Sequence, residues 1–255
     1  MRSIKELHFF DALDAGQLGR RGARLNKEIA QLRAEVSAEP SIDRVAKIAD
    51  REAWLPVLAS GRTDDYLAYL HDGLADRHLI ADVTPAYALL PTERLRDMAM
   101  MAPDVRFVYL MRDPVARLWS HVRMLAWRKA GNPEMQAAKV FEAVLAGQQP
   151  DVTDRGDYRA ALERLDAAID PSRLLVMFQE AMLTVPGVKR LCAFLGIADH
   201  EADFSRRVHA GQRLDMTQDQ LARARAALRP QYDYVAARFG TLPDAWLRNM
   251  NEGVA

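Results

Sequence analysis

The stretch FVYLMRDPVARLWSHVRMLAWR, residues 107–128, sets a fixed positive charge directly after a row of strand-forming apolar residues. Asp113 can cap a helix that begins there, and Pro114 suits its first turn, so strand should pass to helix with no spacer. Arg112 is then expected at the mouth of a sheet beside a helix N-terminus, a combination that attracts phosphate or sulfate. Leu118, Val122 and Leu125, spaced four and three apart, give the helix a core face, and Ser120 falls off that stripe. Ser120 lies about 9 Å along the axis from Pro114 at 1.5 Å per residue. An anion touching both Arg112 and Ser120 would therefore lie beside the first two turns, not on the axis. The competing reading is a surface arginine paired with Asp113 and a solvated serine, and Arg-Asp-Pro alone favours it. The full pattern R-D-P-x-x-R-x-x-S behind a buried strand, with Arg117 as its second arginine, is far more specific.

The elements that must hold these residues follow from periodicity. HLIADVTP (78–85), VRFVYLMR (105–112) and RLLVMFQE (173–180) read as strands. FVYL and LLVMF are continuous apolar runs, which predicts burial on both faces. Helices are expected over 20–36, 43–58, from Thr63 as N-cap, over 92–103 with Thr92 as cap, and over 113–130. VFEAVLAG, YRAALERLDAAI and VKRLCAFLG, the last closed by Gly196, follow the same pattern. The final helical stretch contains Pro230, which should kink or divide it. The glycines of GQLGRRG (16–22) read as loop punctuation. Strands separated by helices predict a parallel α/β sheet flanked by helices, with residues 1–255 as a single domain. Ligands bind such sheets beyond the carboxyl ends of the strands, where Arg112 and Glu180 stand.

Composition narrows the function classes. A hydrophobic fraction of 49% and a charged fraction of 27% are those of a soluble globular protein. Net charge is zero, so no overall field draws in nucleic acid or an acidic membrane, and any anion site must be local. No apolar run reaches membrane-spanning length, and MRSIKELHFFD lacks the apolar region of a signal peptide. The single cysteine, Cys192, sits among apolar residues at helical spacing and reads as a buried, inert thiol. A disulfide framework is excluded, and a reducing compartment, the cytoplasm, is expected. Arg20, Arg24 and Lys27 share one helix face, read as solvated or as a contact for an anionic acceptor. The six histidines show no metal-ligand spacing, and no H-E-x-x-H, G-x-S-x-G, C-x-x-C or G-x-G-x-x-G is present.

With these residues in place, the chain resembles the sulfotransferases that use 3′-phosphoadenosine-5′-phosphosulfate (PAPS). The resemblance implies that Arg112 and Ser120 hold the donor's 3′-phosphate, with Arg117 beside them. KELHFFD (5–11) is similar to the K-E-x-x-F-F segment of carbohydrate-type and bacterial members, which makes Glu6 the general base. Lys5, His8 and Asp11 then fall at positions facing the acceptor. ADVTPAY (81–87) resembles the family's K-T-P-x-Y segment and adds Thr84 to the acceptor side, with Val83 where many members carry lysine. GDYRAALERL resembles the G-x-Y-x-x-x-L helix and adds Tyr158 to the acceptor side as well. RRVHAGQR (206–213) falls where members place a donor-covering loop, which assigns Arg213 to the donor. The implied reaction moves a sulfuryl group from PAPS, without a metal, to a hydroxyl or amine of a carbohydrate, glycolipid or small-molecule acceptor. Such transfer asks the protein mainly to position reactants and stabilise charge.

The family's strongest motif, a first strand with a glycine-rich loop of the K-x-G-T-T type and a helix, should precede KELHFF and is not found. A P-loop-type sheet without it is expected to expose a strand edge and apolar faces. Roughly 30 residues, the length of one strand–helix unit with its loop, would supply it. The expectation is therefore an N-terminally shortened enzyme. The alternative is a non-catalytic remnant that binds an anionic nucleotide, a glycan or a partner protein. A nucleotide-kinase-like protein would explain the sheet and the arginines but not KELHFF.

Overall fold

The computed structural model describes residues 3–72, 74, 79–205 and 214–251. Two compact units divide the chain, Met1–Leu90 and Pro91–Ala255. The described residues of the first are helical: α1 (Phe9–Asp14), α2 (Leu18–Ala38), α3 (Ile42–Ser60) and α4 (Thr63–Asp72), followed by a 3₁₀ turn over Pro85–Leu89. Ser41 caps α3 by accepting from the Arg44 amide at 3.4 Å, and Gly61 ends it in the left-handed region at φ 63°. The apolar faces converge on an aromatic core. Phe9 stacks on Tyr66 at 4.9 Å between centroids, Phe10 meets Tyr66 edge-on at 5.0 Å, and Trp54 lies 4.6 Å from Tyr69. Such pairs add about 0.5–1.5 kcal/mol each beyond the area they bury. The two phenylalanines of KELHFFD are thus the anchor that fixes the residues before them.

The second unit carries the sheet. Its elements are α5 (Thr92–Ala99), β1 (Phe107–Met111), α6 (Pro114–Trp127), α7 (Pro133–Leu145), α8 (Pro150–Thr153) and α9 (Tyr158–Ala168). After these come β2 (Leu174–Phe178), α10 (Gln179–Met182), α11 (Val185–Leu195), α12 (Gln218–Phe239) and α13 (Asp244–Asn251). β1 and β2 pair in parallel, from Phe107 against Leu174 to Met111 against Phe178. The core sits on one side of β1, where Met111 joins Val115, Leu118, Val122 and Ala126 of α6 with Phe141 of α7. Trp246 of α13, fully buried, packs on Phe178, Tyr158 and Tyr232.

The α/β class and the parallel pairing agree with the sequence, and several details do not. Residues 79–84 form no strand: Asp82 and Thr84 are engaged in side-chain hydrogen bonds, and Pro85 opens the 3₁₀ turn. Among the described residues the sheet has two strands, and none precedes Phe107. β1 is not buried on both faces, since Val108 is 37% and Leu110 42% exposed, whereas β2 alternates buried and part-buried residues. Arg62 and Pro91, not Thr63 and Thr92, stand before the first helical residue of α4 and α5, and α5 ends at Ala99. Glu180 falls in α10, past the end of β2. Gly19 and Gly22 lie inside α2, so only Gly16 of that group marks a loop, at φ 64°. Pro230 does not divide α12, which continues from Gln218 to Phe239 with the proline ring exposed. Cys192 is a free, buried thiol in α11, and Gly196 closes that helix at φ 69°.

Candidate functional site

In the second unit the turn from β1 into α6 is held by a closed polar network. Asp113, 2% exposed, caps α6 by accepting from the Ala116 amide at 2.7 Å. Its carboxylate also accepts from the Tyr232 hydroxyl at 2.7 Å and from Asn249 Nδ2 at 3.0 Å. Burial pushes the Asp113 carboxyl up, against these hydrogen bonds, which act the other way. The Asp113 amide donates to Glu180 Oε1 at 3.1 Å, and Trp246 Nε1 donates to Glu180 Oε2 at 3.1 Å. Glu180 is therefore a clasp across the ends of the two strands, with both oxygens taken. The Tyr158 hydroxyl, pushed up to about 12 mainly by burial, donates to the Arg112 carbonyl and accepts from the Arg112 amide at 3.3 Å.

This network fixes the Arg112 backbone while leaving its guanidinium without a hydrogen bond or ion pair among the described residues. Asp113 is engaged elsewhere, which removes the surface ion-pair reading of Arg-Asp-Pro. Ser120, half-buried on α6, likewise offers a hydroxyl with no partner among the described residues. Arg117 lies deeper. Its Nη2 donates to the Val152 carbonyl at 2.8 Å, and its buried Nε has no partner among the described residues. Burial holds its guanidinium below the ordinary range, and the charges of Arg155 and Arg112 act in the same direction. His121 is lowered by burial, then by Arg117 and Arg155. This region therefore combines positive charges with hydrogen-bond donors that no described residue uses.

In the first unit the residues of KELHFFD form a second polar cluster. Asp50 of α3 accepts from the Ser3 hydroxyl at 2.8 Å, the Ile4 amide at 3.3 Å and the Tyr69 hydroxyl at 2.8 Å, which pins the segment entering Lys5 and Glu6. The Phe9 amide donates to the Tyr87 hydroxyl at 3.0 Å. Between these anchors His8 adopts φ 52° and ψ 40°, the one non-glycine residue at positive φ among those described. That left-handed backbone turns its ring between two carboxylates: Nδ1 is 2.8 Å from Asp11 and Nε2 3.1 Å from Glu6. Burial would raise Asp11, but the His8 hydrogen bond and the charges of His8 and Arg21 hold it below the ordinary value. Glu6 is half exposed, with 51% of its side chain open to solvent, and Lys5 is exposed. Thr84, 6% exposed, donates to Asp82 at 2.7 Å and accepts from the His8 amide at 3.5 Å. A carboxylate oriented by an imidazole and open to solvent can take a proton from a hydroxyl or ammonium group.

Thus Glu6, His8, Asp11 and Thr84 come together in the first unit, and Arg112, Arg117 and Tyr158 in the second. Arg213 lies outside the described residues. Sequence reasoning passed over Asp82, on which the hydroxyls of Tyr66 (3.0 Å) and Tyr87 (2.8 Å) also converge, although Asp82 and Tyr87 stand inside ADVTPAY. It also passed over Arg155, directly before the Gly-Asp-Tyr it singled out. Among the described residues no three His, Cys, Asp or Glu side chains are grouped to hold a metal ion, and no helix is long and apolar enough to cross a membrane.

Comparison with known proteins gives a family and a fold. The family model described as "Sulfotransferase family" matches residues 2–201. The crystal structure of a sulfotransferase from Alicyclobacillus acidocaldarius superposes with a TM-score of 0.56 at 24% identity, covering 73% of this chain and 74% of that one, a likeness of fold. No curated protein matches the chain.

Proposed function

The chain belongs to the sulfotransferase family, and from that membership we propose that it moves a sulfuryl group from PAPS to a hydroxyl or amine of a carbohydrate, glycolipid or small-molecule acceptor. The observation that carries the donor reading is the Arg112 guanidinium, fixed through its backbone at the start of α6 and unpaired among the described residues. Arg112 and Ser120 take the 3′-phosphate of the donor, with Arg117 adding charge. Glu6 removes the acceptor's proton, held in orientation by His8, which Asp11 backs. The acceptor's oxygen or nitrogen bonds to sulfur as the bond from sulfur to the 5′-phosphate oxygen breaks, and adenosine 3′,5′-bisphosphate leaves. Lys5 and Thr84 belong to the acceptor side, Thr84 by fixing the His8 backbone. Tyr158 acts through its clamp on Arg112.

The test is transfer of radiolabelled sulfate from PAPS to a panel of sugars, glycolipids and small hydroxylated compounds, with bisphosphate binding measured in parallel. Glu6→Gln should lower turnover by about 10²–10⁴-fold and leave bisphosphate affinity nearly intact, since the base acts on the acceptor. Arg112→Ala should weaken the bisphosphate by about 1.5–3 kcal/mol, the worth of a charge-assisted hydrogen bond. Unchanged affinity in Arg112→Ala removes the donor assignment; full activity in Glu6→Gln moves the base elsewhere.

A further inference from the structure

We infer that Arg155 is a third arginine of the anion site at Arg112 and Arg117, contacting the 3′-phosphate of the donor, and that Gly156 is glycine because Arg117 lies across its backbone. The inference rests on the donor reading above and extends it to two residues outside the R-D-P-x-x-R-x-x-S pattern.

The geometry comes from one short stretch, residues 152–158, wrapped against α6. Its Val152 carbonyl holds Arg117 Nη2 at 2.8 Å. A Cβ on Gly156 would fall 2.3 Å from Arg117 Nη2, 2.9 Å from its Cζ and 3.1 Å from its Nε. No side chain fits at 156 while Arg117 keeps this place. Gly156 is not at positive φ, so close approach and not backbone conformation demands the glycine. Two residues on, Tyr158 grips the Arg112 backbone through both amide and carbonyl. Arg155 sits next to Gly156, its Cα about 3.8 Å away across one peptide. It is half-buried and makes no hydrogen bond or ion pair among the described residues.

None of the neighbouring carboxylates forms an ion pair with it among the described residues. Asp157 accepts from the Ala160 amide at 3.0 Å and from Gln231 at 3.1 Å, and Asp154 from the Thr153 hydroxyl at 3.3 Å. Arg117 uses Nη2 on Val152 and leaves its buried Nε unsatisfied. Like charges gathered with their donors unused are unfavourable in the free protein, and an anion relieves both costs together. A phosphate monoester, with its double charge and three acceptor oxygens, suits several guanidinium forks better than a singly charged group does.

The experiment uses the purified chain and calorimetric titration with adenosine 3′,5′-bisphosphate and with adenosine 5′-monophosphate, which lacks the 3′-phosphate. Arg155→Gln should weaken the bisphosphate on the order of tenfold or more and leave the monophosphate unchanged. Gly156→Ala should weaken the bisphosphate about as much as Arg117→Ala, and the double variant no further, because both remove the same guanidinium from its place. Melting temperatures establish that each variant is folded. If the wild-type chain takes up no bisphosphate, the donor reading falls and this inference with it. If Arg112→Ala weakens the bisphosphate and Arg155→Gln does not, the donor reading stands and Arg155 is excluded. Equal losses for both nucleotides in Arg155→Gln, or additive losses in the double variant, likewise overturn the inference.

Discussion

Asp82 sits where three hydroxyls converge, from Thr84 at 2.7 Å, Tyr87 at 2.8 Å and Tyr66 at 3.0 Å. Burial pushes its carboxyl above the ordinary value, and the three hydroxyl hydrogen bonds and the His8 charge offset only part of that. A raised carboxyl holds its proton more tightly in the folded chain than in the unfolded one. The stability it contributes is complete below the unfolded value of about 3.9 and is lost as pH rises through the folded value. Asp82→Asn abolishes that titration. The stability advantage of wild type over the variant should therefore shrink between pH 3.5 and pH 7, measured as urea midpoints at each pH. An advantage that grows with pH would show that Asp82 favours its charged form. The lowered carboxyls of Asp11 and Asp50 work in the opposite sense, stabilising above the unfolded value and failing as pH falls, but both proteins carry them. In the same unit, the Tyr66 and Tyr87 hydroxyls are raised by burial and by the neighbouring Asp82, which keeps them as donors.

At the scale of elements, α12 shows what propensity alone does not decide. An interior proline removes one N–H and crowds the preceding turn, at a cost of roughly 3 kcal/mol. The helix nonetheless runs through Pro230, because Ala224, Tyr232 and Val235 bury its core face on both sides of the proline. Pro230 is exposed, so Pro230→Ala removes no packing. The variant should be more stable by about 1–2 kcal/mol, the helix gain less the proline's restriction of the unfolded chain. A lower urea midpoint would mean that the proline ring is needed. The elements that were readable locally were those whose signals are local: the Asp113 cap, the Gly196 stop and the periodic faces of α6 and α11. The strand expected over 78–85 was not, because its apolar and β-branched residues gave no sign that Asp82 and Thr84 bond to hydroxyls. The Arg155 site was not, because it depends on Arg117 reaching Gly156 from another helix. Glu6, His8 and Asp11 were named through the resemblance of KELHFFD alone; that His8 bonds both carboxylates depends on its left-handed backbone, which the residue types do not announce.

Taken as a whole, the molecule carries no net charge and leaves part of its sheet uncovered. The continuous apolar runs of β1 and β2 promised two buried faces, but burial depends on what packs opposite, which a strand's own sequence does not contain. Val108 and Leu110 alternate outward from β1 at 37% and 42% exposure. Without net charge to keep copies apart, such a face promotes association. Leu110→Lys should raise the concentration at which light scattering begins and cost about 1 kcal/mol or less, since Leu110 is only partly buried. An unchanged onset would clear this face of responsibility. Cys192 offers a different vantage on the same unit. It is the only cysteine in the chain and is 4% exposed within α11. A thiol-specific reagent therefore reaches it only when that helix opens, and the plateau of labelling rate at high reagent concentration is the opening rate itself. The chain thus carries its own stopwatch, able to time how often α11 lifts from the protein and whether a bound nucleotide slows it.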